Sequence, residues 1–281
     1  MKTYSGPPES SRLTSIPCNF CGKDNKDIFL ECDGFEYVRC GNCALIYQNP
    51  RPENGIVWDR YDEEYFEYER RNEENFFSLM KMGLADIGFP VLEKEFAGKR
   101  WFLDVGCATG LLLSYVKERG WSEQGVEVCE PSVRYGSEVR GLAIHNGTLE
   151  DAGFMKDSFH VVHCSHLIEH VEDPHSFFRE VYRVLHPGGY FIVTTPNCEG
   201  MQAKLKKAEW RSAIADHLYL FSRTTLNRYL LKNDFVPIRW KTWGGIPRGE
   251  APAPVKRVVD SLAKLLGFGD VMICLARKKS S

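Results

Sequence analysis

The stretch Arg100-Trp101-Phe102-Leu103-Asp104-Val105-Gly106-Cys107-Ala108-Thr109-Gly110-Leu111-Leu112-Leu113 constrains the fold more than any other part of the chain. An apolar run ends on an acidic residue, breaks into small residues bracketed by two glycines, and resumes as an apolar-periodic segment up to Gly120, which predicts a strand, a tight loop and a helix. Glycine reaches backbone conformations closed to other residues and lets a ligand approach the main chain. A loop that opens a helix also aims unpaired N–H groups at whatever lies above it.

Downstream, short β-like runs alternate with helical segments, the pattern of a parallel sheet with crossover helices. Strands are expected at residues 101–105, 123–128, 143–146, 159–164 and 190–194, with two more at 236–241 and 271–276 after a helix at 224–233 and another ending at Leu266. With 281 residues and 43% apolar content, the chain can bury one large core plus a small appendage. The expected division is residues 1–50 as a ribbon and linker, 51–98 as an aromatic-rich helical lead-in, and 99–281 as the α/β domain. No apolar run nears the roughly 18 residues that span a membrane, and the N-terminus lacks a signal-peptide core, so a cytoplasmic location is expected. A net charge of −2 supplies no field to attract nucleic acid or an anionic membrane.

Cys18-Asn19-Phe20-Cys21 and Cys40-Gly41-Asn42-Cys43 form two C-x2-C pairs 18 residues apart, the spacing of a zinc ribbon. Each pair can turn both thiolates onto one ion, and two pairs complete a tetrahedral sulfur shell with no open position for a reacting water. A structural zinc held by Cys18, Cys21, Cys40 and Cys43 is expected, with a hairpin across Asp33-Gly34 between the pairs. The other six cysteines are scattered and read as small buried hydrophobes.

Three ligands suit a strand, glycine loop and helix. A P-loop needs Lys and Ser/Thr after its last glycine, where this chain has Leu111-Leu112. A dinucleotide loop wants G-x-G-x-x-G, but aligned on Gly106 the later places hold Ala108 and Leu111. Asp104 would also repel a pyrophosphate. A ligand with a cationic centre and an amino group tolerates that carboxylate, and S-adenosylmethionine carries both.

Residues 103–110 resemble the first motif of class I S-adenosylmethionine-dependent methyltransferases, with Ala108 in place of a more usual glycine. The likeness runs over residues 98–240. Glu127 stands where the family's acidic residue accepts the ribose hydroxyls, and Gly147-Thr148-Leu149-Glu150 stands where Gly-Asp contacts adenine. Thr148 departs from that pattern, which favours the backbone of Leu149 as the adenine contact. Residues 165–174 resemble the fourth-strand motif of enzymes similar to those of ubiquinone biosynthesis, and His186-Pro187-Gly188-Gly189 is similar to the family's turn into strand five.

The resemblance implies a doubly wound, seven-stranded, mostly parallel Rossmann-like sheet. It also implies a cofactor site formed by Asp104, Gly106, Cys107, Ala108, Gly110, Glu127, Val128, Thr148, Leu149, Ser165 and His166. Tyr61 or Tyr65 is a candidate cover for that pocket.

His166-x-x-Glu169-His170 formally matches a zinc-peptidase motif, but that motif needs a helix and here follows a strand-like run. In the ubiquinone-type enzymes the matching segment, Glu-x-x-Glu-His, holds a divalent metal, so a metal on His166, Glu169 and His170 is an alternative. An oxygen or nitrogen acceptor needs a base poised near working pH, and histidine fits. His217 and His166 are the candidates, with Tyr219 behind them. The ribbon's fusion to this fold resembles a set of bacterial methyltransferases acting on natural products and surface glycans, which implies a small-molecule or sugar acceptor. Zinc-ribbon RNA methyltransferases share the layout, but this ribbon has Lys23, Lys26 and Arg39 against five acidic residues, Asp24, Asp27, Glu31, Asp33 and Glu36. A non-catalytic protein retaining the fold is the third reading. It is opposed by the intact set of Asp104, Gly106, Gly110 and Glu127.

Overall fold

A computed structural model describes residues 13–53, 61–96, 98, 100–246 and 249–279. In chain order the N-terminal part contains β1 (Leu13–Thr14), β2 (Lys26–Cys32), β3 (Phe35–Cys40), β4 (Ile46–Gln48) and β5 (Arg51–Pro52), followed by helices α1 (Glu63–Asp86) and α2 (Phe89–Leu92). The remainder is β6 (Trp101–Val105), α3 (Leu111–Glu118), β7 (Ser122–Glu127), α4 (Glu130–Arg140), β8 (Ile144–Asn146), β9 (Phe159–Ser165), α5 (Pro174–Val184) and β10 (Leu185–Pro196). It ends with α6 (Met201–Lys206), β11 (Tyr219–Leu220), α7 (Arg223–Lys232), β12 (Phe235–Trp243), α8 (Ala253–Leu266) and β13 (Val271–Lys278).

The large sheet has seven strands in the order β12-β13-β10-β9-β6-β7-β8. The run from β8 to β10 is parallel, and β13 lies antiparallel to both of its neighbours. This is the expected seven-stranded, mostly parallel sheet. The chain leaves β6 to one side for β7 and β8, and returns on the other side for β9 and β10. The carboxyl end of β6 is therefore a topological switch point, where such sheets open a crevice for a ligand.

Alternation along the strands sends neighbouring residues to opposite faces. Phe102, Val161 and Ile192 face a cluster closed by Phe77 and Leu84 of α1 and Val116 of α3. Leu103, Val162 and Phe191 face a second cluster with Phe178 of α5 and Tyr229 of α7. Cys18, Val38, Leu45 and Tyr47 of the ribbon belong to this second cluster. Each large apolar side chain buried there contributes about 1.5–3 kcal/mol, so the ribbon and sheet share one core.

The ribbon's hairpin turns at Asp33-Gly34, with Gly34 at φ 79°, as its dipeptide requires. Its sheet, β11-β4-β3-β2, borrows β11 from the far half of the chain through the pairs Tyr219 with Tyr47 and Leu220 with Ile46.

Asp62 caps α1 by accepting from Tyr65 N at 2.9 Å. The helical lead-in expected over residues 51–98 is interrupted before its end. Gly88 at φ 79° ends the first helix, and the chain makes only four residues of α2 and one 3-10 turn, Glu93–Glu95. Among the described residues no helix is long and apolar enough to cross a membrane.

Candidate functional site

A cavity of about 1910 Å³ opens at the carboxyl end of β6. Its floor is the glycine loop, where Gly106 N and Cys107 N both donate to Val126 O at 2.8 and 3.2 Å, tying β6 to β7. Gly106, Ala108 and Gly110 have φ of 72°, 46° and 78°. A Cβ on Gly110 would stand 2.4 Å from Leu142 Cδ1, forcing that side chain to move, and its φ of 78° is one that other residues rarely adopt. Ala108 occupies a left-handed conformation that costs a residue with a Cβ about 1–2 kcal/mol, which accounts for the more usual glycine.

Glu127, buried at the end of β7, accepts from Ala108 N, Val128 N and Cys129 N, each at 2.9 Å. Burial raises its carboxyl, and these three N–H groups pull it back. Glu127 thus holds the loop in shape, a job the sequence reading did not give it. A carboxylate has about four acceptor positions, so one remains for a ligand. Asp104, also buried, pairs through Oδ1 with His163 Nδ1 at 2.7 Å. Burial raises Asp104 and His163 opposes the rise. The sequence reading missed His163, which sits in an apolar strand with only its own residue type as a signal.

Of the expected cofactor residues, Asp104, Gly106, Cys107, Ala108, Glu127, Val128, Thr148, Leu149, Ser165 and His166 line the cavity. Gly110 is not in that lining; it caps α3. Thr148 exchanges local hydrogen bonds with Asp151, so its side chain is already engaged. Tyr61 and Tyr65 line the cavity from the lead-in segment, their rings 4.9 Å apart.

A second wall carries His166, His170 and His217, with Glu169 buried behind them. His166 has φ 53°, an uncommon conformation for a side chain of its size. Its Nδ1 lies 3.3 Å from Glu169 Oε1, within ion-pair range, although Oε1 has no partner of hydrogen-bond geometry. Thr195 Oγ1 donates to Glu169 Oε2 at 2.8 Å. Burial would raise Glu169, but His166, His217 and His170 together hold it at about 2. Burial, with His170 beside it, pushes His217 down to about 3, so His217 is neutral at pH 7 and His166 is the main support of the Glu169 charge.

His170 Nδ1 and His217 Nδ1 lie 2.8 Å from the carbonyls of Asp216 and Ser212. A carbonyl only accepts, so each Nδ1 carries the proton and each Nε2 the lone pair. Glu169, His170 and His217 offer ligand atoms within 4.8 Å of one another, a set that could hold a divalent ion. His217 thus replaces His166 in the trio expected from sequence. Tyr219 is not in the wall: its hydroxyl donates to Glu172 O at 3.0 Å and accepts from Arg51 Nη1 at 3.1 Å, because its backbone belongs to the ribbon sheet.

The four ribbon cysteines converge as expected, their sulfurs all within 4.8 Å of one another. Cys18 and Cys43 lie 3.4 Å apart and Cys21 and Cys40 3.5 Å apart. A 2.3 Å metal–sulfur bond in a tetrahedron separates sulfurs by about 3.8 Å, so the cluster has the size of a single-ion site. Both knuckles repeat one turn: Cys18 N and Cys40 N donate to Lys23 O and Leu45 O, each at 2.9 Å.

A switch-point crevice floored by two buried carboxylates, with no Lys or Arg among residues 104–110, suits a ligand bearing a cation and hydroxyls rather than phosphates. This fold and floor define a class I S-adenosylmethionine-dependent methyltransferase. The chain belongs to the family described as "Methyltransferase domain", whose model matches residues 77–239.

Among curated proteins, the ubiquinone biosynthesis O-methyltransferase of Pseudomonas entomophila (strain L48) is 34% identical over 109 residues, covering 36% of this chain and 46% of that protein. Its namesake from Ruegeria pomeroyi is 36% identical over 110 residues, covering 37% and 44%. The chain spans about half the length of the curated relatives it matches. Among solved structures, a Thermotoga maritima S-adenosylmethionine-dependent methyltransferase, described as a possible histamine N-methyltransferase, matches with TM-score 0.58 and 21% identity, covering 79% of this chain and 100% of that one. A chain from the complex of the Haloferax volcanii Trm112 methyltransferase activator with a putative methyltransferase gives 0.59 and 16%, covering 75% and 94%. At these identities the likeness is one of fold.

Proposed function

We propose that the protein transfers the methyl group of S-adenosylmethionine to an oxygen or nitrogen of a small-molecule or sugar-type acceptor seated against His166, His170 and His217. The observation that carries this reading is the continuity of one cavity from the carboxylate floor to the histidine wall. At about 1910 Å³ it exceeds the roughly 300–1000 Å³ of a single small-ligand pocket, leaving room for donor and acceptor together. One ribose hydroxyl belongs on the remaining acceptor position of Glu127, and the adenine beside Leu149.

When bound, the cofactor supplies an electrophilic methyl on a neutral leaving group. The protein must then chiefly align the acceptor and exclude water. His166, paired with ionised Glu169, takes the acceptor proton; His217, neutral and oriented by Ser212 O, offers Nε2 as a hydrogen-bond acceptor. A divalent ion on Glu169, His170 and His217 is the second reading, favoured by the buried Glu169 Oε1 that lacks a hydrogen-bond partner.

We further infer that the ribbon ion is zinc, with a structural role. Of four basic residues in and after α6 whose charge could grip an anion, Lys204, Lys206, Lys207 and Arg211, two already pair with carboxylates, Lys206 with Glu250 at 3.2 Å and Arg211 with Asp270 at 2.9 Å, which weakens the case for a phosphorylated or nucleic-acid acceptor. The test is transfer of labelled methyl groups to a metabolite extract. A labelled small molecule whose formation fails with His166→Ala supports the reading, and labelling confined to added RNA would overturn it. Metal analysis separates the two wall readings, since two equivalents per chain, one lost in Glu169→Gln, would favour the ion.

A further inference from the structure

The lead-in helix contributes more to the cavity than a cover. Glu73 Oε2 of α1 accepts from Thr109 Oγ1 at 2.7 Å and pairs with Arg140 of α4 at 2.8 Å, pinning the helix over the glycine loop. Glu69 lies one turn, about 5.4 Å of rise, before Glu73 on the same face. It lines the cavity with Tyr61 and Tyr65. The cations of that lining, Arg71, Lys206, Arg211, Lys256 and Lys264, each pair with another carboxylate. Among the described residues no Lys or Arg pairs with Glu69 or Glu127.

The charged and titratable groups around Glu69 come from several elements. Glu127 of β7, with Asp104 of β6 behind it, and His166 after β9 face Glu69 itself. Tyr65 stands beside it on α1, and Tyr61 and Cys129 in turn neighbour Tyr65. Burial and the Glu127 charge hold the Glu69 carboxyl up at about 7, against the pull of His166. Two carboxylates thus face one cavity with no protein cation between them. The reaction itself brings a cation, the sulfonium, and removes it: the carbon–sulfur bond breaks with its electron pair left on sulfur. The acceptor's lone pair forms the new bond, and its proton passes to His166.

We propose that Glu69 sets the preference for the charged donor over the spent product, by pairing with the sulfonium of S-adenosylmethionine and losing that partner when sulfur becomes a neutral thioether. The inference rests on the donor assignment above. A contact with the ground-state charge, which disperses in the transition state, tightens donor binding without speeding transfer. Glu69 is thus a specificity-determining residue. It favours product release, because S-adenosylhomocysteine leaves an unpaired carboxylate behind.

The experiment is calorimetric titration of the full chain with S-adenosylmethionine and with S-adenosylhomocysteine at pH 6 and pH 8, for wild type and Glu69→Gln. A charge-assisted contact is worth about tenfold in affinity, so the wild-type donor-to-product affinity ratio is expected to exceed that of Glu69→Gln by about tenfold at pH 8. The wild-type excess should shrink at pH 6, where the carboxyl is mostly protonated. Equal weakening of both ligands by Glu69→Gln would overturn the proposal, placing the carboxylate on the ammonium they share. An unchanged ratio would overturn it as well. Failure of wild type to bind either ligand would remove the donor assignment along with it, a result distinct from both. Glu69→Gln removes a desolvated ionisable group from a helix face, and an unchanged melting temperature confirms that the comparison is between folded proteins.

Discussion

The floor and the wall of the cavity are built on opposite plans. The floor is continuous: residues 104–110 and 127–129 interlock through main-chain N–H groups, and one carboxylate, Glu127, gathers three of them. The wall is assembled from distant pieces, and the piece carrying His217 hangs on the ribbon. Tyr37 of β3 directs its hydroxyl at the carbonyls of Ile214 and His217, both at 2.8 Å. Gln48 N donates to Leu218 O at 2.9 Å, and β11 completes the ribbon sheet. The difference fits a division of labour within the function proposed above, in which the large sheet carries its own donor floor and the four-cysteine ribbon shapes the proposed acceptor wall. A ribbon that merely decorated the domain would have no reason to share its sheet and core with residues 218–221.

The largest effect that could break this comparison comes from the floor. Glu127→Ala leaves three N–H groups without their acceptor, at about 1–3 kcal/mol for each that stays buried, and removes the proposed ribose contact. Donor affinity should fall by more than about a hundredfold and denaturant stability by about 3 kcal/mol, read by calorimetry and urea unfolding. Next is the ribbon: Cys40→Ser, or prolonged chelation, should lower methyl transfer at least about tenfold while donor affinity stays within about twofold. Equal losses in both would erase the distinction between the two regions.

Gly110→Ala sharpens the account of the floor. Its Cβ meets Leu142 and its φ is 78°, so a loss of about 2 kcal/mol in unfolding free energy is expected. Smallest, and opposite in sign, Ala108→Gly should gain about 1 kcal/mol by relieving the left-handed alanine, with donor affinity unchanged.

Legibility follows the same divide. The floor could be read because strand, glycine loop and the acid at the end of the next strand are local patterns, and the seven strands announce themselves by apolar runs between turns. The cysteine pairs were legible because two C-x2-C knuckles are local patterns, and their sulfurs do converge within 4.8 Å of one another. The wall was legible only as residue types. His166 and His217 were singled out, but nothing in the sequence links Tyr37 to a carbonyl 180 residues away. A two-residue strand such as β11 has no periodicity to detect, and Tyr219 consequently read as a site residue when it is a sheet residue. Glu69 and Glu73 were hidden in the same way. On an exposed-looking acidic helix, only the tertiary contact with Thr109 shows which face turns inward.

The division of labour is tested most directly by amide hydrogen exchange on Tyr37→Phe with its ribbon metal bound. Removing one hydroxyl takes away the single proton shared between the carbonyls of Ile214 and His217 and touches nothing in the floor. Faster exchange over residues 212–221, with the wild-type rate retained over residues 104–110 and unchanged donor binding, is the predicted result. Unchanged exchange over residues 212–221, or equal acceleration in both segments, would contradict the claim that the ribbon shapes the acceptor side alone.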